Sequence, residues 1–258
     1  MDLSQIKNKL NAIQSNPKGG GDKKPNVFWK PTVGKQTIRV IPSKFDKANP
    51  FKEVYLNYAL GKTILSLTNF GEKCPIDEFV KVLRKSGDKD NWKLSKKLEN
   101  KMRVLIPVIE RGKEAEGVKF WNVGKETYMD FLNLADNEDV GDFTDIVEGR
   151  DITVTTVGKD VTGTDYNKSS IMPRTKQTPL SDDKAIVKSL LNDQPDPLES
   201  FKKYEFAEVK QFLFDFLNPE EETKTETEEE DMVITKTATK PAKTTTSKTD
   251  KFDDLFDK

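Results

Sequence analysis

Aromatic rings and cations alternate at short range in several parts of this chain, and that alternation suits unpaired nucleic acid. The clearest stretch is Val118-Lys119-Phe120-Trp121-Asn122-Val123. On a strand, successive side chains point to opposite faces. Val118 and Phe120 then share one face, and Lys119, Trp121 and Val123 share the other. A base can stack on the indole while the neighbouring ammonium meets a phosphate. Gly124-Lys125 follows and opens a short helix carrying Tyr128. Trp92 stands close to Lys93, Lys96 and Lys97, and Tyr166 lies in a loop with Lys159 and Lys168. A competing reading of the central stretch is a sandwich strand with one exposed tryptophan at a partner surface. Phe120 reads as a core residue because it shares a face with Val118, whereas Trp121 and Tyr166 read as groove residues.

Composition narrows the chemistry. The chain has no histidine and one cysteine, Cys74. A catalytic triad of the usual kind needs a histidine, and a structural zinc site needs about four Cys or His ligands. No phosphate-binding glycine motif is present. Carboxylate-bound Mg²⁺ would need a cluster of acids, and none is visible. Binding is therefore expected rather than catalysis, with a Mg²⁺-dependent nuclease as a distant third reading. The net charge of −1 conceals a polarity. Residues 23–128 carry 23 Lys+Arg against 12 Asp+Glu, and residues 129–218 carry 10 against 18. A cationic first half suggests a polyanion as partner for one face. No apolar run approaches the ~20 residues of a membrane span, and no secretory leader is read at the start. A soluble, intracellular protein without a membrane partner is expected.

The elements that must position these side chains follow from periodicity. Met102, Val104, Ile106 and Val108 alternate with Arg103, Leu105 and Ile109, which is strand spacing. With a turn at Arg111–Gly117 and the strand 118–123, this predicts a β-hairpin running into a helix over Glu126–Ala135. Upstream, the core starts at Val27-Phe28-Trp29. Thr37–Ile41 predicts a strand, and Phe51–Leu60 with Lys62–Thr68 predicts a strand pair around Gly61. Pro75–Lys85 predicts a helix with Ile76, Phe79, Val80 and Leu83 as its apolar stripe, followed by a polar loop, Ser86–Asn91. Downstream lie an acidic connection at 136–149, a strand at 151–157, and a loop at Gly158–Ser170. A short edge piece at Ile171–Arg174 and two helices, about 181–192 and 199–217, complete the domain. The last of these is rich in Phe, as a helix packing on the core would be.

Both ends differ from the middle. Leu3, Ile6, Leu10 and Ile13 recur at helical spacing in residues 1–16, with Lys7 and Lys9 on other faces. A helix that short is marginal alone; it can dock on another molecule or fold back on its own domain. From Pro219 the chain becomes acidic and then Thr/Lys-rich, a composition that cannot bury enough apolar area to offset chain entropy. It ends in Asp250-Lys251-Phe252-Asp253-Asp254-Leu255-Phe256-Asp257-Lys258. Phe252, Leu255 and Phe256 in an acidic tip resemble a short partner-binding peptide. The expected fold class is mainly β with added helices: an OB-fold, a five-stranded Greek-key barrel, with a helical insertion and C-terminal helices. A β-sandwich is the main competitor. The expected domains are an N-terminal arm at 1–22, the core at 23–218, and a disordered acidic tail at 219–258.

The order of the motifs resembles the T-even bacteriophage single-stranded DNA-binding protein family, the helix-destabilising proteins of phage replication. Thr37-Ile38-Arg39-Val40-Ile41-Pro42-Ser43-Lys44, with Asn49-Pro50-Phe51, is similar to the family's early strand and loop. Lys73-Cys74-Pro75 resembles the start of its zinc knuckle. Gly117–Trp121, Gly124-Lys125 and Tyr128 resemble its second hairpin and following helix. Gly163, Tyr166, Ser170 and Pro173 match the spacing of its last DNA-contacting loop. The resemblance covers roughly 27–175 by motif and the ends by character. It departs in three places. The family's better-known members bind zinc through one His and three Cys, but here Asp77 stands where a Cys-x-x-Cys partner would be. The basic motif of the family's arm is reduced to spread lysines. Some tyrosines of its groove are replaced, with Trp121 at one such place.

The resemblance implies a non-catalytic coat on single-stranded DNA in replication, recombination and repair, in the cytoplasm of an infected bacterial host cell. Arg39, Lys44, Lys96, Lys97, Arg103, Lys119 and Lys125 would neutralise phosphates, together with Lys168 and Arg174. Trp92, Phe120, Trp121, Tyr128 and Tyr166 would stack bases. Leu3, Ile6, Lys7, Lys9, Leu10 and Ile13 would carry self-association along the DNA, and Phe252, Leu255 and Phe256 would recruit replication and recombination proteins. The tail would also compete with DNA for the basic groove. No cofactor is expected, since only Cys74 remains of the zinc ligands and the knuckle would be held by Phe79, Val80 and Leu83. The rival from another class is a protein–protein adaptor on an OB-like or sandwich domain, which has no need of exposed rings set between lysines.

Overall fold

The computed structural model describes residues 27–218, 251–252 and 255–256. The predicted arm at 1–22 and most of the tail lie outside them. The strands are β1 (Phe28–Trp29), β2 (Gly34–Val40), β3 (Lys52–Asn57), β4 (Ile64–Leu65), β5 (Lys101–Glu110), β6 (Lys119–Val123), β7 (Arg150–Val157) and β8 (Lys168–Gln177). The helices are α1 (Pro75–Lys85), α2 (Lys89–Leu98), α3 (Lys125–Ala135), α4 (Lys159–Thr162), α5 (Lys184–Asn192) and α6 (Phe206–Leu217). Short 3₁₀ turns occupy Leu67–Phe70 and Glu114–Glu116.

The expectation of a mainly β chain with added helices holds. The strands form one open sheet in the order β1-β6-β5-β2-β7-β8, with β3 paired to β5 and β4 to β3. β5 is the strand on which this arrangement turns. One of its edges carries β6 along Val104–Val108. The other is divided, with β3 along Lys101–Leu105 and β2 along Val108–Glu110. Pro107 lies beside that division. Proline has no N–H to give a neighbouring strand, and between β3 and β2 none is called for; its carbonyl accepts from Ile41 N at 2.9 Å.

The predicted alternation along β5 is real, but both of its faces are covered. Val104, Ile106 and Val108 pack with Ile38, Val40, Trp121, Phe131, Ile152 and Val154. Leu105 packs on the opposite side with Val54, Leu56, Leu65 and Phe120. α3 closes the first face with Tyr128 and Phe131. Each such side chain, fully buried, contributes about 1.5–3 kcal/mol, so the doubly covered centre dominates the stability of the sheet.

A second core lies among helices. The helix predicted over Pro75–Lys85 forms with those bounds. Pro75 is at its start, Asp77 and Glu78 stand in the first turn, and Arg84 and Lys85 in the last, which complements the helix dipole. Ile76, Phe79, Val80 and Leu83 bury against Leu98 of α2 and against Val209, Leu213 and Leu217 of α6. The loop expected at Ser86–Asn91 is shorter than predicted because Asp88 caps α2, accepting from the N–H groups of Asp90 and Asn91. Similarly, the strand expected over Lys62–Thr68 contracts to β4, and the loop at Gly158–Ser170 contains α4 and the start of β8. The edge piece expected at Ile171–Arg174 is a ten-residue strand, and Pro173 is tolerated there because β8 is an edge. The final two helices begin later than predicted, at Lys184 and Phe206.

Arg39 requires a correction. Predicted to meet phosphate, it has no exposed surface. Its Nε donates to Asp151 Oδ1 at 2.9 Å, and its Nη atoms donate to Asp145 O and to the Thr178 hydroxyl. Arg111 Nε donates to the same Asp151 oxygen at 2.8 Å, and its Nη1 and Nη2 donate to the carbonyls of Leu180 and Pro179. One carboxylate thus gathers two guanidiniums, and these pin residues 145 and 178–180 to the sheet. Burial lowers the Arg39 pKa, and the hydrogen bond and charge of Asp151 oppose that shift. Removing one member of a buried ion cluster strands the rest. Arg39→Ala is expected to lose about 3 kcal/mol or more in urea denaturation; an unchanged midpoint would show that the cluster does not hold the sheet.

Candidate nucleic-acid interface

The edge ribbon of β7 and β8 presents the most regular exposed pattern. Along β8, Lys168, Ser170, Met172 and Arg174 are exposed, whereas Ser169, Ile171 and Pro173 are half-buried. Residues two apart share a face, so Lys168, Met172 and Arg174 line up on the outward side. Thr155 stands opposite Ser170, Thr153 opposite Met172 and Val157 opposite Lys168. The result is a flat strip of hydroxyl, thioether and apolar groups with a cation at either end. Tyr166, 63% exposed, sits just ahead of it. At the Arg174 end the strip runs into a cleft of about 890 Å³ lined by Lys35, Gln36, Arg111, Arg174 and Lys176, with Glu110 and Glu114 among them.

Two further pairs put a ring under a cation in the open. Trp92 is 54% exposed on α2, with Lys96 Nζ 5.8 Å from its ring and Arg84 and Lys89 lining the adjacent hollow. Phe45 is 49% exposed, with Lys44 Nζ at 4.9 Å. Lys125 is exposed at the start of α3, and Lys97 is exposed with its ammonium 5.0 Å from the Phe216 ring. Of the predicted site residues, Lys44, Trp92, Lys96, Lys97, Lys125, Tyr166, Lys168 and Arg174 are therefore on the surface.

Others are not. Phe120 and Trp121 alternate between the faces of β6 as predicted, but their exposures are 3% and 5% because both faces carry cores. Trp121 packs edge-on to Trp29 at 5.1 Å and to Phe131 at 5.9 Å, leaving no ring face for a base. Tyr128 packs against Phe51, and its hydroxyl donates to Glu53 at 3.1 Å. Burial, then that hydrogen bond and the carboxylate charge, pushes its pKa up. Arg103 is half-buried and donates to the side chain and backbone of Asn122. Lys119 is paired with Glu116.

Exposed rings absent from the predicted set are Phe45, Tyr55 and Tyr58, with Phe206 and Phe214 on α6. For Tyr55 a signal was available. Val54 and Leu56 flank it and are buried, so the alternation in Val54-Tyr55-Leu56 turns the ring outward, opposite Met102. Phe45 and Tyr58 lie between elements, where periodicity says nothing.

The knuckle positions do not suit zinc. Cys74 is buried at the N-cap of α1, and Asp77 accepts hydrogen bonds from Ser66 Oγ at 3.2 Å and Asn100 Nδ2 at 2.7 Å. Among the described residues no three Cys, Asp or Glu side chains are grouped to hold a metal ion. A structural zinc takes four ligands, mainly Cys and His, and this donor set does not supply them.

Compared with known proteins, a family model described as gp32 DNA binding protein like matches residues 32–232. No curated protein matches the chain.

The Asp77 carboxyl carries a pH signature. Burial pushes its pKa up, against hydrogen bonds from Ser66, Cys74 and Asn100 that pull it down, with a net rise. A raised folded pKa contributes stability below the unfolded value, lost as pH rises through the folded value. Asp77→Asn does not titrate, so its stability relative to the parent should improve between about pH 3 and pH 7. Thermal melts at both ends of that range test this; an identical offset at the two would exclude it.

Proposed function

The chain belongs to the gp32 DNA-binding-protein-like family, a family of single-stranded DNA-binding proteins, and from that premise we propose that it coats unpaired DNA without regard to sequence. The observation that carries this reading is the outward strip of β8, in which Lys168 and Arg174 bracket Met172 beside the open Tyr166 ring. Stacking accepts any base because every base has a π-face, and cations track the backbone. Trp92 with Lys96 and Phe45 with Lys44 extend the same chemistry to other parts of the surface. A duplex offers no free base faces, so binding of this kind favours the melted strands.

The finer features are part of the proposal. The protein serves replication, recombination and repair in the cytoplasm of an infected bacterial cell, as a binder and not as an enzyme. It associates with itself through the arm at Leu3, Ile6, Leu10 and Ile13, and it recruits proteins through its acidic tail. Its sheet is an elaborated OB-type barrel left open; the divided edge of β5 supports this, since one long strand there serves two neighbours. Its knuckle is held without metal, by Phe79, Val80 and Leu83.

Tryptophan fluorescence on titration with poly(dT) separates this reading from an adaptor. Of the three tryptophans, Trp29 and Trp121 are 5% exposed and Trp92 is 54% exposed. Quenching by DNA is therefore expected to come mainly from Trp92, and Trp92→Phe should remove most of it while leaving binding measurable. Tyr166→Ala should weaken binding by about 1–3 kcal/mol. Arg174→Ala should flatten the log–log salt slope by roughly 0.7. If poly(dT) is not retained by the parent protein, DNA coating is wrong and the adaptor reading stands.

A further inference from the structure

Residues 251–252 and 255–256 are helical and seat on the helical core. Phe252 is 2% exposed. Its ring centroid lies 6.1 Å from Phe79 of α1 and 5.6 Å from Phe214 of α6. Phe256 lies 4.9 Å from Phe252 and 6.1 Å from Phe206 at the start of α6. Leu255 packs against the same cluster. Lys210 of α6 is placed over this seat, with its ammonium 5.7 Å and 5.4 Å from the Phe252 and Phe256 rings, and it donates to Phe256 O at 3.3 Å.

The seat has the properties of a docking site. It is apolar at its floor, with Phe79, Val209 and Leu213 beneath the tip. It is cationic at its rim through Lys210, which complements a segment containing Asp250, Asp253, Asp254 and Asp257. Its side walls are open, since Phe206 and Phe214 keep 38% and 37% of their surface in contact with solvent. A short amphipathic turn laid into an apolar groove by rings at i and i+4 is a recurrent mode of peptide recognition. The occupant is tethered to its seat through residues 219–250, so docking is an intramolecular event at high effective concentration.

We propose that the groove between α1 and α6 is a peptide-docking site whose resident is the chain's own C-terminal tip, Phe252–Phe256, held in cis as a latch. The site accepts a short acidic segment with aromatic residues four apart. Docking itself does not depend on DNA binding. Only its consequence rests on the function proposed above: a partner that grips the tip by these rings must first lift it from α6.

Hydrogen exchange followed by mass spectrometry on the full chain, without DNA, tests the latch. Amides of 251–256 are expected to exchange at least about tenfold more slowly in the parent than in Phe252→Ala/Phe256→Ala. Their protection should be the same at two protein concentrations roughly a hundredfold apart. Lys210→Glu alters the seat and leaves the tail sequence intact, so it should release the tip while β5 amides keep their protection. Free-peptide exchange rates at 251–256 in the parent would overturn the proposal. Protection that grows with concentration would also overturn it, by assigning the seat to the tail of a second copy.

Discussion

The centre of the sheet is buried on both faces, and the placement of the remaining chemistry follows from that constraint. β5 and β6 carry Ile106, Val108, Trp121 and Val123 toward one core and Leu105 and Phe120 toward the other. A ring in such a strand has neighbours above and below, and it contributes packing. Groups meant for an outside ligand have to sit where the sheet runs out. β8 is such a place: it is the terminal strand beyond β7, and one of its faces is open along its length. The contrast between Trp121 and Tyr166, both flanked by lysines in sequence, is a contrast between a central strand and a loop leading into an edge strand.

An edge ribbon is a weak platform unless something fixes its root. The carboxylate of Asp151, on β7, meets Arg39 from β2 and Arg111 from the turn after β5. The same two guanidiniums reach the carbonyls of residues 145, 178, 179 and 180. The segment that leaves β8 is therefore tied to the body of the sheet just beyond Gln177. Arg39 is buried at the root of the strip, bonded to Asp151, Asp145 and Thr178. A buried charge is acceptable there because each guanidinium nitrogen has an acceptor close by.

The helical unit is built on a different principle. α1, α2 and α6 converge on Phe79, Leu83, Leu98 and Leu213, and the position of Asp77 beside Cys74 is filled by hydrogen bonds to Ser66 and Asn100. The unit is packed by aliphatic and aromatic side chains. α6 belongs to this unit and also packs against Phe252, Leu255 and Phe256, so the helical core is where residues 206–217 meet residues 252, 255 and 256.

Much of this was written in local sequence. The helix over Pro75–Lys85 followed from four apolar residues at spacings of three and four with a proline at the start. The hairpin followed from alternation, and the strand over 151–157 from its β-branched residues. These signals are local, so they survive without knowledge of what packs on them. A polyanion partner was suggested by the cationic first half and by rings set beside lysines, whereas the DNA-binding family itself was legible only in the order of motifs from Thr37 to Pro173. Tertiary structure alone decided which of those pairs face outward. Alternation assigns side chains to two faces but cannot tell whether a face is covered, because the cover comes from α3, from β1 and from residues near 200, far away in sequence. Arg39 looked like a groove cation since its counter-ion, Asp151, is 112 positions distant. The tip at Phe252–Phe256 looked free for the same reason: its seat is assembled from α1 and α6, and only folding brings those faces together.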